Sequence, residues 1–116
     1  MKWGGCVRRY LRQYLDDYVE EFEKLNIDVN ALILFGSHAR GEGVLSSDVD
    51  IAVVMNEPLS SRERGILRCL GDEINPYIET DLFFTHVQAL EGPTHHFDTN
   101  THIKREGIVL WGEKVT

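Results

Sequence analysis

The feature that most limits what this chain can become is the run Ala31-Leu32-Ile33-Leu34-Phe35, wholly apolar and stopped at once by Gly36. A stretch that short and that apolar, ended by a glycine, suits a buried β-strand better than a helix. A second strand begins near Val49, where Val49, Ile51 and Val53 alternate with Asp48, Asp50 and Ala52. Successive side chains of a strand point to opposite faces, so this one is expected to carry one greasy face and one face with two carboxylates.

The rest of the chain supplies elements to cover these strands. Val7, Leu11, Leu15, Tyr18, Phe22 and Leu25 recur at steps of three and four, which predicts an amphipathic helix over about residues 5–25. After Pro58, Ser60 with Glu63 three residues on is a capping-box signal ahead of Ile66, Leu67, Leu70 and Ile74, a second helix that ends before Asn75-Pro76. Tyr77 to Thr85 reads as a strand with Ile78, Thr80, Leu82 and Phe84 on one face and Glu79, Asp81 and Phe83 on the other. A weak helical stretch near His96 to Arg105 and a last strand, Ile108 to Trp111, follow the Gly92-Pro93 loop. The order α-β-β-α-β-α-β predicts a compact α+β fold, a mixed β-sheet flanked by helices, with the helices on one face. The 116 residues are expected to form one domain, 1–116, with a core over about 31–111.

Charge narrows the function. Twelve Lys and Arg against nineteen Asp and Glu leave a net charge of −7, which argues against non-specific binding of duplex nucleic acid, since that needs a surplus of cations. No apolar run approaches the ~20 residues of a spanning helix, and Lys2-Trp3-Gly4-Gly5 offers no signal-peptide h-region, so a cytoplasmic location without membrane contact is expected. Cys6 and Cys69 are read as reduced, part-buried thiols.

The chemistry concentrates between Gly36 and Asp50. A glycine-rich turn after a buried strand presents backbone N–H groups to phosphate oxygens, and Ser37 adds a hydroxyl or caps the turn. Glu42-Gly43 stand where a P-loop requires Lys-Ser/Thr, so that motif fails, as does a Rossmann fingerprint. Asp48 and Asp50 share a face with Cα atoms roughly 6.6 Å apart. They repel unless a cation lies between them, and Mg²⁺, which combines one or two carboxylates with water and phosphate, fits. Asp81 is the third acid if its strand is a neighbour, placed to bind metal or accept a hydroxyl proton, with Glu79 its competitor and the wet face of a strand the bland alternative. Arg40 either clamps a phosphate or pairs with Glu42. His38 is read as a loop residue and His86, His95, His96 and His102 as surface histidines, since their spacing matches no zinc site. Tyr10, Tyr14 and Tyr18 read as a packed helix flank or a partner-docking stripe.

Gly36-Ser37, ten intervening residues and then Asp48-x-Asp50 resembles the signature of the polymerase β-type nucleotidyltransferases. Arg40-Gly41, Ser47-Asp48 and the closing Glu106-Gly107-Ile108-Val109-Leu110 resemble the minimal nucleotidyltransferase (MNT) branch, over about Leu32 to Leu110. The resemblance implies Mg²⁺-dependent transfer of a nucleoside monophosphate, usually AMP from ATP, with Gly36, Ser37 and Arg40 at the triphosphate and Asp48, Asp50 and Asp81 as catalytic and metal-binding carboxylates. It also implies a partner. Many MNT proteins are antitoxins that silence a HEPN ribonuclease toxin by adenylylating a tyrosine hydroxyl, and this chain lacks the HEPN Arg-then-His pattern. Larger relatives append an acceptor-binding domain, for which this length leaves no room, so the acceptor is expected on another chain. The alternatives are a non-catalytic module that binds nucleotide or neutralises a toxin by contact, and a transferase acting on a small-molecule hydroxyl. A homo-oligomer is compatible with all of these.

Overall fold

The computed structural model describes residues 9–44, 46–92 and 98–113. Helix α1 (Arg9–Leu25) leads into strands β1 (Ala31–Phe35) and β2 (Val49–Met55), then helix α2 (Ser61–Ile74), strand β3 (Thr80–His86), helices α3 (Val87–Glu91) and α4 (Thr99–Glu106), and strand β4 (Ile108–Gly112). The strands form one sheet in the order β3-β2-β1-β4. β1 pairs antiparallel with β2 and β4, whereas β2 and β3 run parallel through the α2 crossover, so the sheet is mixed.

The helical stripe of α1 is buried at Leu11, Tyr14, Leu15, Tyr18, Val19 and Phe22, but Leu25 at its end is exposed. α2 begins as its sequence requires: the Ser60 N–H donates to Glu63 Oε1 at 3.0 Å and the Glu63 N–H to Ser60 Oγ at 3.1 Å. One tyrosine joins the two helices and a second ties α1 to β3. Tyr18 donates its hydroxyl to the Leu67 carbonyl at 3.1 Å, and the Tyr14 hydroxyl bonds Thr80 Oγ1, passing Gly71 where any Cβ would collide with it. The packed-flank reading therefore holds for Tyr14 and Tyr18, while Tyr10 lies exposed.

Helices cover both faces of the sheet. α1 and α2 pack with Leu32, Leu34, Val49, Ile51, Val53 and Met55, and on the other side Leu90 of α3 and Ile103 of α4 cover Ala31, Ile33, Ala52 and Val54. The expected one-sided cover is corrected for a physical reason: β2 carries carboxylates only at its start, and from Ile51 onward both of its faces are apolar and need burial. The short α3 has no sequence counterpart, because five residues hold too few repeats to display a period. The β3 strand starts at Thr80 instead of Tyr77. Asn75 Oδ1 accepts the Tyr77 N–H at 3.0 Å, folding a turn that leaves Tyr77 93% exposed. Cys69 is exposed, not part-buried, since it lies on the outer side of α2, and Cys6 lies outside the described residues. His86 and His102 are at the surface, as expected, and His95 and His96 lie outside the described residues. Among the described residues no helix is long and apolar enough to cross a membrane.

Candidate active site

β1 delivers the chain to Gly36, whose backbone takes a φ of +79°, a left-handed conformation open to glycine at little cost. From there the chain coils into a tight turn. The Ala39 and Arg40 N–H groups donate to the Gly36 carbonyl at 3.1 and 3.2 Å, and those of Glu42 and Gly43 to the Ser37 carbonyl at 2.9 and 3.1 Å. The internal bonds begin at Ala39, so the N–H groups of Ser37 and His38 open the turn without being spent in it, as at the start of any helical turn. His38 is in this loop but buried, and its Nε2 lies 3.1 Å from the Ser47 carbonyl. Gly43 leaves room for that ring; a Cβ there would strike it. His38 is thus a strut between the turn and the segment that leads to the carboxylates, a role no sequence signal marks.

Asp48 immediately precedes β2 and Asp50 lies within it. Asp50 pairs across the antiparallel ladder with Phe35, the residue before Gly36, and across the parallel ladder with Asp81. The neighbour relation on which Asp81 depended is therefore met, and the Val49 N–H fixes the register by donating to the Glu79 carbonyl at 2.8 Å. A Cβ at Gly36 would collide with Asp50 Oδ2, so the turn and the carboxylate are in direct contact. Burial pushes the Asp50 carboxyl above its ordinary range, the charges of Asp81 and Asp48 push it further, and His38 and Arg40 offset part of the rise. Asp81 is raised by desolvation and then by the charge and hydrogen bonding of Asp48. Glu79 is raised chiefly by hydrogen bonding with Asp48 and by the charges around it. Four carboxyls are crowded at one end of two parallel strands.

A turn that opens with two N–H groups thus touches an acidic cluster. The polymerase beta nucleotidyltransferase family model matches residues 17–114. The chain belongs to that family. No curated protein sequence matches it significantly. Among solved structures, it resembles the MNT antitoxin in complex with a tri-AMPylated HEPN toxin from Shewanella oneidensis, at 17% identity and a TM-score of 0.57 over 88% of this chain and 72% of that one. A mutant of the toxin–antitoxin MntA–HpeT matches at 17% identity and 0.62, covering 86% and 74%. A toxin–antitoxin with AMP-PNP matches at 20% and 0.57, covering 85% and 74%. At these identities the likeness is one of fold.

In this nucleotidyltransferase, Asp48, Asp50 and Asp81 offer hard, anionic oxygen donors, and the charge of Asp48 raises the proton affinity of both Asp50 and Asp81, a donor chemistry that suits Mg²⁺. Among the described residues no three acidic, histidine or cysteine side chains close into a metal cage. Arg40 pairs with Glu42, its Nε 3.2 Å from Oε1, and also with Glu106, its Nη1 3.1 and 3.0 Å from the two oxygens. The second partner was not expected. It is 66 residues away, and its only sequence signal is its place in the Glu106-Gly107 segment. Phe35, Gly36, Arg40, Thr99, His102 and Glu106 line a cavity of about 200 Å³ beside the turn. A larger one, about 500 Å³, lies between α1 and α2 and is lined by Asp17, Glu20, Glu21, Leu70, Glu73 and Ile74, none of them a residue of the turn or the carboxylate cluster.

Proposed function

We propose that this chain, acting as one domain in the cytoplasm, transfers AMP from ATP to a hydroxyl of a partner protein, a HEPN-type toxin tyrosine in the first instance, and so acts as an antitoxin. The observation that carries the reading is the contact between Gly36 and Asp50 with Asp81 next in register, which supports a phosphate-binding role for the turn beside these carboxylates. The solved relatives in which a toxin carries AMP, or in which a toxin–antitoxin is seen with an ATP analogue, support the donor and the partner.

In this reading the Ser37 and His38 N–H groups, the Ser37 hydroxyl and Arg40 hold the triphosphate. Asp48, Asp50 and Asp81 hold Mg²⁺, which supplies charge stabilisation at the phosphate when bound. Asp81 lies exposed on β3, an edge strand, where a hydroxyl brought by another chain can reach it. Its raised proton affinity suits it to accept the hydroxyl proton as the oxygen attacks the α-phosphate, the new P–O bond forming as the bond to pyrophosphate breaks. A module that only bound a partner would have no use for carboxylates that destabilise one another without a cation.

The test is to incubate the purified chain with Mg-ATP and the partner that co-purifies with it, then weigh both intact. Whole AMP increments on the partner, lost when Asp48 and Asp50 are both changed to Asn, are the expected result. A partner inhibited at unchanged mass, equally well by that double variant, would replace the enzyme with a binding module.

A further inference from the structure

The triphosphate turn is not held by its own loop alone. Arg40 is the cation nearest to it in sequence and is 41% exposed, a setting in which a long side chain samples many rotamers. Here it is fixed on two sides. Nε meets Glu42, and Nη1 meets both oxygens of Glu106, whose side chain is only 16% exposed. Of the two acids, Glu106 contributes first to holding the guanidinium in its charged form. These bonds use Nε and Nη1, so Nη2 is the nitrogen that the two bridges leave for another anion.

Glu106 has its own support. It is the last residue of α4, and Gly107 ends the helix so close to β1 that a Cβ would collide with Ile33 Cγ2 and the Ile103 carbonyl. The Gly107 N–H caps the helix on that carbonyl at 3.0 Å, and β4 starts at once. The glycine thus lets the end of α4 sit against the sheet with its final carboxylate aimed along β1 toward the turn. His102, one helical turn back, lies with Nδ1 3.7 Å from Glu106 Oε1, and both line the cavity beside Gly36.

We propose that Glu106 is a positioning residue for nucleotide binding: it orients Arg40 so that its free edge faces the donor's triphosphate at the Gly36 turn. This rests on the nucleotidyltransferase reading above. A flexible arginine loses rotamer entropy when it clamps a phosphate, and a carboxylate that fixes it beforehand removes part of that loss.

Equilibrium binding of Mg-ATP, with a thermal melt of every variant, decides it. Glu106→Gln keeps the shape and removes the charge, and it is expected to weaken Mg-ATP binding about tenfold, as loss of a charge-assisted hydrogen bond does. Glu106→Asp should recover part of that loss. In an Arg40→Gln background the same Glu106→Gln change should add less than about twofold, since it has no guanidinium left to orient. If Glu106→Gln fails to fold, Glu106→Asp is tested for the same non-additivity. Unchanged affinity in Glu106→Gln, or a loss that adds in full to that of Arg40→Gln, overturns the proposal and leaves Glu106 as a staple for α4. If the unmodified chain itself fails to bind Mg-ATP, the nucleotidyltransferase reading falls and takes this one with it.

Discussion

Gly36 and Asp50 share one space: the position a side chain would occupy at residue 36 is held by the Asp50 carboxylate. The two positions are therefore constrained together, the glycine by its left-handed φ of +79° and by its neighbour's oxygen. Gly36→Ala should cost roughly 1–3 kcal/mol from backbone strain before any contact is counted. It should also displace Asp50 and weaken Mg-ATP binding. Denaturant melts with and without Mg-ATP check both, and a nucleotide-induced stabilisation equal to the wild-type value would refute the link.

Changing Asp48 and Asp50 together to Asn should abolish Mg²⁺-dependent nucleotide binding while leaving the metal-free fold as stable as before or slightly more so. Burial and mutual charge raise Asp50, and removing two facing negative charges relieves that repulsion as it deletes the ligands. A loss of metal-free stability in thermal melts would count against a repulsive cluster.

The same cluster sets a pH dependence. Asp50 and Asp81 are raised from 3.8 and Glu79 from 4.5, so the folded state binds protons more tightly than the unfolded chain. Above the raised values these groups are ionised in both states and the repulsion opposes folding in full. As pH falls through the raised values the folded state takes up protons first, so their contribution to stability rises, levelling off below the ordinary carboxylate range. Glu79 and Asp81 are largely solvated, which keeps the effect modest. Metal-free urea melts at pH 7 and pH 5 should show a gain at the lower pH that shrinks in the Asp48→Asn, Asp50→Asn variant.

Asp81→Asn should lower transfer by ~10²–10⁴-fold while weakening Mg-ATP binding far less, as loss of a proton acceptor does. Equal losses of rate and binding would make Asp81 a metal ligand alone. Full activity would pass the role to Glu79, whose carboxyl is raised chiefly by its interaction with Asp48.

What was legible in the chain was local. The stop at Gly36, the Asp48-x-Asp50 step and the Ser60–Glu63 box each act within a few residues, and all three took the expected backbone form. What depended on distant pairing was conditional or missed. Asp81 could be named only on condition that its strand lies beside β2, as it does, and the Arg40–Glu106 pair, which forms because β4 lies on the far side of β1, went unnoticed. The two-sided helical cover was hinted at by Val54, an apolar residue in phase with Asp50 and Ala52, but the acidic start of the strand concealed it. Tyr77 shows the opposite error: its strand-like character yielded to the turn made by Asn75 and Pro76.

The carboxylates are not mounted alike. Asp50 rides on β2, which has a strand on each side, whereas Asp81 rides on β3, which has β2 on one side only and is weighted from above by Arg64 and Arg68, each 5.1 Å over the Phe84 ring. An outer strand breathes more readily than an inner one. Amide hydrogens of Thr80 to Phe84 should therefore exchange with solvent sooner than those of Ile51 to Met55. The acid on the edge strand thus belongs to the part of the sheet that can yield, while the acid beside the Gly36 turn stays fixed.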